Sequence, residues 1–396
     1  MLIDDRAVAR PSPSSTVISM VGTWPWPAID EHLRGVERLV QQRLAAVATL
    51  CGDAAPEQAG PGGESERSAR APRIDLARCL DDLVTAGGKR IRPVLALLGH
   101  RAVGGRGTPS ELITVGAALE LLHTFALAQD DVMDGSATRR GRPTVHVELA
   151  RLHRERNGAG DSSRYGQSLA ILAGDLAHAE AQDLMAESSL AVRRHWRTMV
   201  IELVHGQTLD LTGAAWREAD PERALTIARL KSGAYTIQRP LELGALVAGA
   251  DTAALGPLSE YGEQLGIAFA LRDDVLGVWG DPVRTGKPAG DDLAEGKPTL
   301  IMALAAQRLG DLPVLTRVGT PALTRADVRH LQQVLADCGI REELEERISA
   351  HLARALTALE RVPAAAGDTG PDPVEAGLDP IDALTAVAHQ IARRDR

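Results

Sequence analysis

Residues 127–146 read LAQDDVMDGSATRRGRPTVH, with Asp130, Asp131 and Asp134 inside five positions and Arg139, Arg140 and Arg142 just behind. The apolar run GAALELLHTFALAQ leads into the first aspartate with a helical pattern. If that helix continues, Asp130 and Asp134 stand one turn apart on one face, with Asp131 three positions before Asp134. Like charges at such spacing destabilise a bare helix, so a divalent cation is the natural compensation. Oxygen-only ligands suit Mg²⁺, which binds few carboxylates and shares its other positions with water and phosphate oxygens. Taken alone, the stretch fits a solvated acidic helix end equally well.

A second acidic pair, Asp273 and Asp274, follows another apolar run in GIAFALRDDVLGVWGDPVRTGKPAGDDLAEGKPTL, with Lys287, Asp291, Asp292 and Lys297 beyond it. Two such pairs facing each other across a helical bundle would grip a diphosphate through several metal ions. Cations gather in GGKRIRP, where Gly87 and Gly88 free the backbone ahead of Lys89, Arg90 and Arg92. Pro93 fits the first turn of the next helix, and positive side chains at a helix N-terminus make an anion site. His123 lies about two turns before Asp130 on nearly the same face, where a lone histidine is more often a core residue. In RLKSGAYTIQRP, Lys231 interrupts a helix ahead of Ser232 and Gly233, which suits a phosphate contact or an ordinary surface lysine. Gln207 and Asp210 in HGQTLDL share one helical face and fit the same polar cavity.

These residues need helices to carry them. The chain has 396 residues, 44% hydrophobic but only 3% aromatic, and its abundant Ala and Leu favour helix over strand. No strand-plus-glycine-turn unit is visible, which excludes Rossmann and P-loop readings. The pattern predicts one all-α domain over residues 28–396 after a disordered tail at 1–27, with loops at 51–72, 153–164 and 364–380. A net charge of −9 argues against a nucleic-acid partner, so phosphate must be held locally. Cys51, Cys79 and Cys338 are far apart and lack metal-ligand spacing, which points to a reducing, cytoplasmic setting. No secretory signal and no uninterrupted apolar run of about 18 residues is read, so no membrane span is expected.

From about Arg73 to Leu300, and more loosely to the C-terminus, the chain resembles the trans-isoprenyl diphosphate synthases of the polyprenyl synthetase family, most like a bacterial geranylgeranyl diphosphate synthase. GGKRIRP, ELLHTFALAQDDVMDGSATRRGRPTVH, GQTLDL, KSGAY and DDVLGVWGDPVRTGKPAGDDLAEGKPTL carry the resemblance in order. It implies an all-helical bundle around a deep central cavity, a homodimer, and three Mg²⁺ ions per site. Lys89, Arg92, His123 and Arg140 would hold the diphosphate of isopentenyl diphosphate. Asp130, Asp134 and Asp273, with Arg139, Lys231 and Lys287, would hold that of a C5, C10 or C15 allylic partner, Asp131 and Asp274 supporting them. Ser232, Gln207 and Lys297 join the expected substrate contacts.

The implied reaction is head-to-tail condensation, one C5 unit at a time. Phe125, some 7–8 Å down the helix from Asp130, with small Ala126 beside it, suits a C20 product, C15 being second. An ordinary core phenylalanine is the alternative reading. Four positions depart from the family pattern: Gly277 ends the second aspartate motif, Ala270 follows Phe269, Gln129 precedes the first motif, and Ser232 follows the lysine. Asp281 would replace the missing carboxylate if its helix ran that far. A class I terpene cyclase handles one diphosphate, whereas GGKRIRP together with RRGRP argues for two. A non-catalytic subunit of a heteromeric synthase would typically have lost its aspartates, and five of the six motif positions keep them here.

Overall fold

The computed structural model describes residues 24, 26–52, 73–282, 289–310, 312–363 and 379–393. Most of the expected tail at 1–27, the 53–72 and 364–378 stretches of two expected loops, and Lys287 lie outside the described residues.

The first helices run α1 (Pro27–Leu50), α2 (Leu76–Thr85), α3 (Ile91–Ala102) and α4 (Ser110–Met133). A two-residue ribbon, β1 (Thr138–Arg139) and β2 (Arg142–Pro143), leads to α5 (Val145–Glu155), α6 (Ser162–Met185) and α7 (Leu190–Trp216). Next come α8 (Pro221–Ile227), a π-helical segment (Ala228–Gln238), α9 (Arg239–Val247) and α10 (Thr252–Trp279). The remainder is α11 (Asp291–Glu295), α12 (Leu300–Leu309), a 3₁₀ turn (Pro313–Arg317), α13 (Arg325–Asp337), α14 (Ile340–Leu359) and α15 (Pro380–Ala392). The all-α expectation holds, the ribbon being the one sheet among the described residues.

Helix α4 is the axis. Leu112, Val115, Leu119, Leu121 and Leu122 are all fully buried, because α1, α3 and α6 pack around it. Each such leucine removed from water contributes roughly 1.5–3 kcal/mol. By length and composition α4 is the one described helix apolar enough to cross a bilayer, which the sequence reading did not register, yet most of that apolar stretch is inside the protein. A second core forms around Leu271, Val275 and Val278 of α10 with Leu300 and Ile301 of α12. Arg272 is almost fully buried and ties α10 to its neighbours, donating to both carboxylate oxygens of Glu345 and to the carbonyl of Ala392.

Two local expectations are corrected. The loop expected at 153–164 is shorter, since α5 continues to Glu155 and α6 starts at Ser162 on an Asp161 cap that accepts from the amides of Ser163 and Arg164. Lys231 does not mark a break. The chain stays helical through it and widens to a π-helix, a form found frequently at functional sites.

Bare backbone sets the position of that π segment. A Cβ on Gly206 of α7 would lie 2.5 Å from the Lys231 nitrogen. On the opposite side Gly233 and Gly266 of α10 touch reciprocally, a Cβ on either falling within 3.0 Å of the other's backbone. No side chain separates the segment from either helix at these points.

Candidate active site

Helix α4 ends in the first acidic run. The amide of Asp134 donates to the carbonyl of Asp130 at 2.8 Å, so the two carboxylates do sit one turn apart as the spacing predicts. Asp273 and Asp274 project from the last turns of α10. Two adjoining cavities of about 470 Å³ each lie between these helix ends. Lys89, Asp130, Arg139, Lys231, Ser232 and Asp273 line both, and so form the wall they share.

The first cavity is cationic. GGKRIRP contributes Lys89, Arg90 and Arg92, and the ribbon contributes Arg139 and Arg140. The ribbon's turn puts Arg140 (φ 53°) and Gly141 (φ 73°) both in the left-handed region, the two-residue hairpin pattern. The Arg140 guanidinium thereby comes 3.1 Å from the Cβ that Gly88 lacks, which joins the two basic segments. Arg90 is committed elsewhere, to the Glu120 carboxylate (2.7 Å) and the Val84 carbonyl (2.7 Å). Arg92 is buried, stacks 4.2 Å over the Tyr235 ring and donates to Thr236 Oγ1. His123 Nδ1 lies 2.8 Å from the Tyr235 hydroxyl. Burial, then the charges of Arg92, Arg140 and Arg139, hold His123 well below the usual histidine range, so its ring is neutral. Burial and the neighbouring Arg139 also pull Arg140 down.

The second cavity is acidic, with lysines as internal counter-ions. Lys231 Nζ stands 3.3 Å from Asp130 Oδ1 and 2.5 Å from Asp210 Oδ2. Gln207 Nε2 reaches Asp130 Oδ1 at 3.5 Å. Lys297 lies 3.4 Å from Asp134, 3.3 Å from Asp292 and 2.5 Å from Glu295. Arg139 gives Nε and Nη2 to Asp131 Oδ1 at 2.8 and 2.7 Å. Burial raises Asp130, but Lys231, Lys297 and Arg139 outweigh it and hold that carboxyl below its ordinary value. Burial dominates at Asp131, which is raised, and at Asp134, raised further by the charge of Asp130. Asp274 is pushed well up by burial and by the charges of Asp292 and Asp273. Lys231 and Lys297 are both held above the lysine range, their acidic neighbours outweighing burial.

Among the described residues, no three His, Cys, Asp or Glu side chains converge closely enough to hold a metal ion unaided. The donors nevertheless suit Mg²⁺, since they are carboxylates alone and a hard cation of this kind is completed by water and phosphate oxygens. Asp131 Oδ2 is buried with no hydrogen-bond partner, an acceptor left for a cation to satisfy.

The fold therefore brings together Lys89, Arg90, Arg92, Arg139 and Arg140 of the basic segments, along with Asp130, Asp273, Asp274, Gln207, Ser232 and Lys297, whereas Arg142 is exposed and lines neither cavity. Asp131 and Asp134 are not among the lining residues of either cavity, one being tied to Arg139 and the other close to Lys297. Ala126 lines the first cavity, whereas Phe125 does not and stacks on His178 of α6 with ring centroids 4.8 Å apart. Asp281 is corrected as a replacement carboxylate: α10 stops at Trp279, Gly280 caps it in extended conformation, and Asp281 is exposed beyond. Residues the sequence reading passed over include Glu120, one turn before His123, and Tyr235 and Thr236, which close KSGAYT. Ile391 of α15 also reaches the first cavity, a contact no motif signals.

A family model described as Polyprenyl synthetase matches residues 74–320. A geranylfarnesyl diphosphate synthase of Aeropyrum pernix is 35% identical over 291 residues, covering 71% of this chain and 86% of its own. A geranylgeranyl diphosphate synthase of Mycobacterium tuberculosis is 36% identical over 280 residues, covering 68% and 75%. Among solved structures, a geranylgeranyl pyrophosphate synthase from Corynebacterium glutamicum, complexed with isoprenyl diphosphate and magnesium, superposes with a TM-score of 0.77 at 36% identity, over 93% of this chain and 99% of that one.

Proposed function

Since the chain belongs to the polyprenyl synthetase family and is a trans-prenyl diphosphate synthase, we propose that it condenses isopentenyl diphosphate with C5, C10 or C15 allylic diphosphates and stops at C20, geranylgeranyl diphosphate. The observation that carries this reading is the shared wall, which joins a cationic cavity to an acidic one. Two diphosphates need two such places, whereas a cyclase needs one.

In this reading Lys89, Arg92 and Arg140 bind the diphosphate of isopentenyl diphosphate. His123 joins them as a neutral ring, held by the hydrogen bond between its Nδ1 and the Tyr235 hydroxyl. Lys231, Arg139 and Lys297 hold the allylic diphosphate, Lys287 being the expected further contact. Gln207 and Ser232 complete the polar wall. Asp130, Asp134 and Asp273, supported by Asp131 and Asp274, would hold Mg²⁺, three ions being expected, which neutralises the departing diphosphate. The fixed cations stabilise the same developing charge without reorganising. The allylic C–O bond breaks, the isopentenyl double bond attacks the resulting carbocation, and a proton leaves for the departed diphosphate. Both reactants share one wall, so proximity supplies much of the rate.

Phe125 is the proposed floor for the growing tail, reached past small Ala126 on the cavity wall. A homodimer would cover the exposed apolar side chains Ile171 and Leu172 of α6 and Ile201 and Val204 of α7. The free cysteines fit the reducing, cytoplasmic setting expected from the sequence. Labelled isopentenyl diphosphate, offered with each allylic partner and Mg²⁺, should give a C20 diphosphate. Absence of any elongated product would defeat the function, and C15 or C25 would correct the length alone.

A further inference from the structure

The two acidic runs differ in one place. DDVMD ends on Asp134, one turn past Asp130, whereas DDVLG ends on Gly277, one turn past Asp273. The space beside Gly277 is nevertheless filled. A Cβ there would lie 1.8 Å from Oδ2, 2.4 Å from Cγ and 3.0 Å from Oδ1 of Asp292. The carboxylate of Asp292 thus takes the volume that a side chain at 277 would need.

The approach is built into the backbone. Gly290, at φ 81°, donates its amide to the Gly277 carbonyl at 3.0 Å and starts α11, with Asp292 in its first turn. Gly296, at φ 72°, ends the helix, and its amide donates to the Asp292 carbonyl at 3.0 Å. The Asp292 side chain is 14% exposed and lines the acidic cavity with Asp273 and Asp274. Lys297 then links it to Asp134 on the opposite wall.

We propose that Asp292 is the third carboxylate of the second acidic wall, supplied from α11 of the same chain, and that Gly277 lacks a side chain because Asp292 occupies its place. The inference rests on the proposed function, since it assigns Asp292 to the divalent ion and diphosphate held there. Its two acceptor oxygens bind such an ion or its water at the Asp273 end of the cavity.

The test uses the full chain, with Mn²⁺ as a paramagnetic probe and inorganic pyrophosphate as the anion. Pyrophosphate-dependent Mn²⁺ affinity is read by electron paramagnetic resonance. Asp292→Asn, nearly isosteric, should weaken it at least about tenfold, the usual cost of losing a supporting ligand. Gly277→Asp should weaken it as much, because two carboxyls then compete for one volume. Gly277→Asp combined with Asp292→Gly should recover to within about threefold of the parent. Asp281→Asn should match the parent. Affinity retained by Asp292→Asn, a comparable loss in Asp281→Asn, or a double variant no better than Gly277→Asp would each overturn the proposal. A parent chain that binds no Mn²⁺ with pyrophosphate and elongates no prenyl substrate would instead defeat the function on which it rests.

Discussion

Nζ of Lys231 lies 3.3 Å from Oδ1 of Asp130, so a wide turn of π-helix supplies the counter-ion for the first carboxylate of DDVMD. Lys231→Met removes that charge at similar volume. Asp130 is held low by this lysine first among the cations, so its pKa should rise, and the acid limb of the kcat/KM profile should move to higher pH. At neutral pH the rate should fall by about 10²–10³, as when one preorganised charge donor is lost. An unmoved acid limb would show that Lys231 does not govern Asp130.

Arg140 stands among other cations and over the bare backbone of Gly88. Arg140→Ala should raise KM for isopentenyl diphosphate by about 30-fold, equivalent to about 2 kcal/mol for a charged hydrogen bond. KM for the allylic partner should stay within a few-fold. Steady-state kinetics with each substrate varied separately decides the matter, and equal rises would place Arg140 in the wrong pocket.

Phe125 stacks on His178, with Ala126 rather than Phe125 exposed to the first cavity. Phe125→Ala should open space against α6 and shift products beyond C20, read as chain length by mass spectrometry. Loss of a half-buried aromatic should also cost stability, about 1–3 kcal/mol in a denaturant melt. A destabilised variant with an unchanged product pattern would make Phe125 a core residue only.

His32 is fully buried on α1, and its pKa is lowered to about 4, by burial first and then by the charges of Arg101 and His100. The folded form keeps this ring neutral, while the unfolded form protonates it near 6.5. Stability from this site is therefore complete above pH 6.5 and is lost as the pH falls towards 4, by up to about 3 kcal/mol. His32→Leu should flatten that part of the stability profile in melts between pH 7 and pH 4. Parallel profiles for the two proteins would remove His32 as the cause.

The helical class and most of the site were legible because they depend on local order. Apolar periodicity delivers Asp130 and Asp273 to helix ends, and GGKRIRP needs only its own glycines to face a cavity. What escaped the sequence depends on distant backbone meeting backbone. The Gly206 contact with Lys231 and the Gly233–Gly266 contact keep a helix going where a lysine and a glycine suggest a break. Asp281 looked like the substitute for the carboxylate absent at Gly277 because it is near in sequence. Asp292 is nearer in space because the chain folds back through Gly290. Ile391 reaches the first cavity only through the tertiary packing of α15.

The glycines at 206, 233 and 266 have a wider meaning. At these three glycines the spacing of the π segment from α7 and from α10 is set by close main-chain approach and not by a side-chain rotamer at the glycine. In the proposed function, the backbone that positions Lys231 is thus separate from the proposed floor of the tail, Phe125, which stacks on His178 of α6. On that proposal, product size can change by repacking around Phe125 without moving the main-chain contacts that hold Lys231.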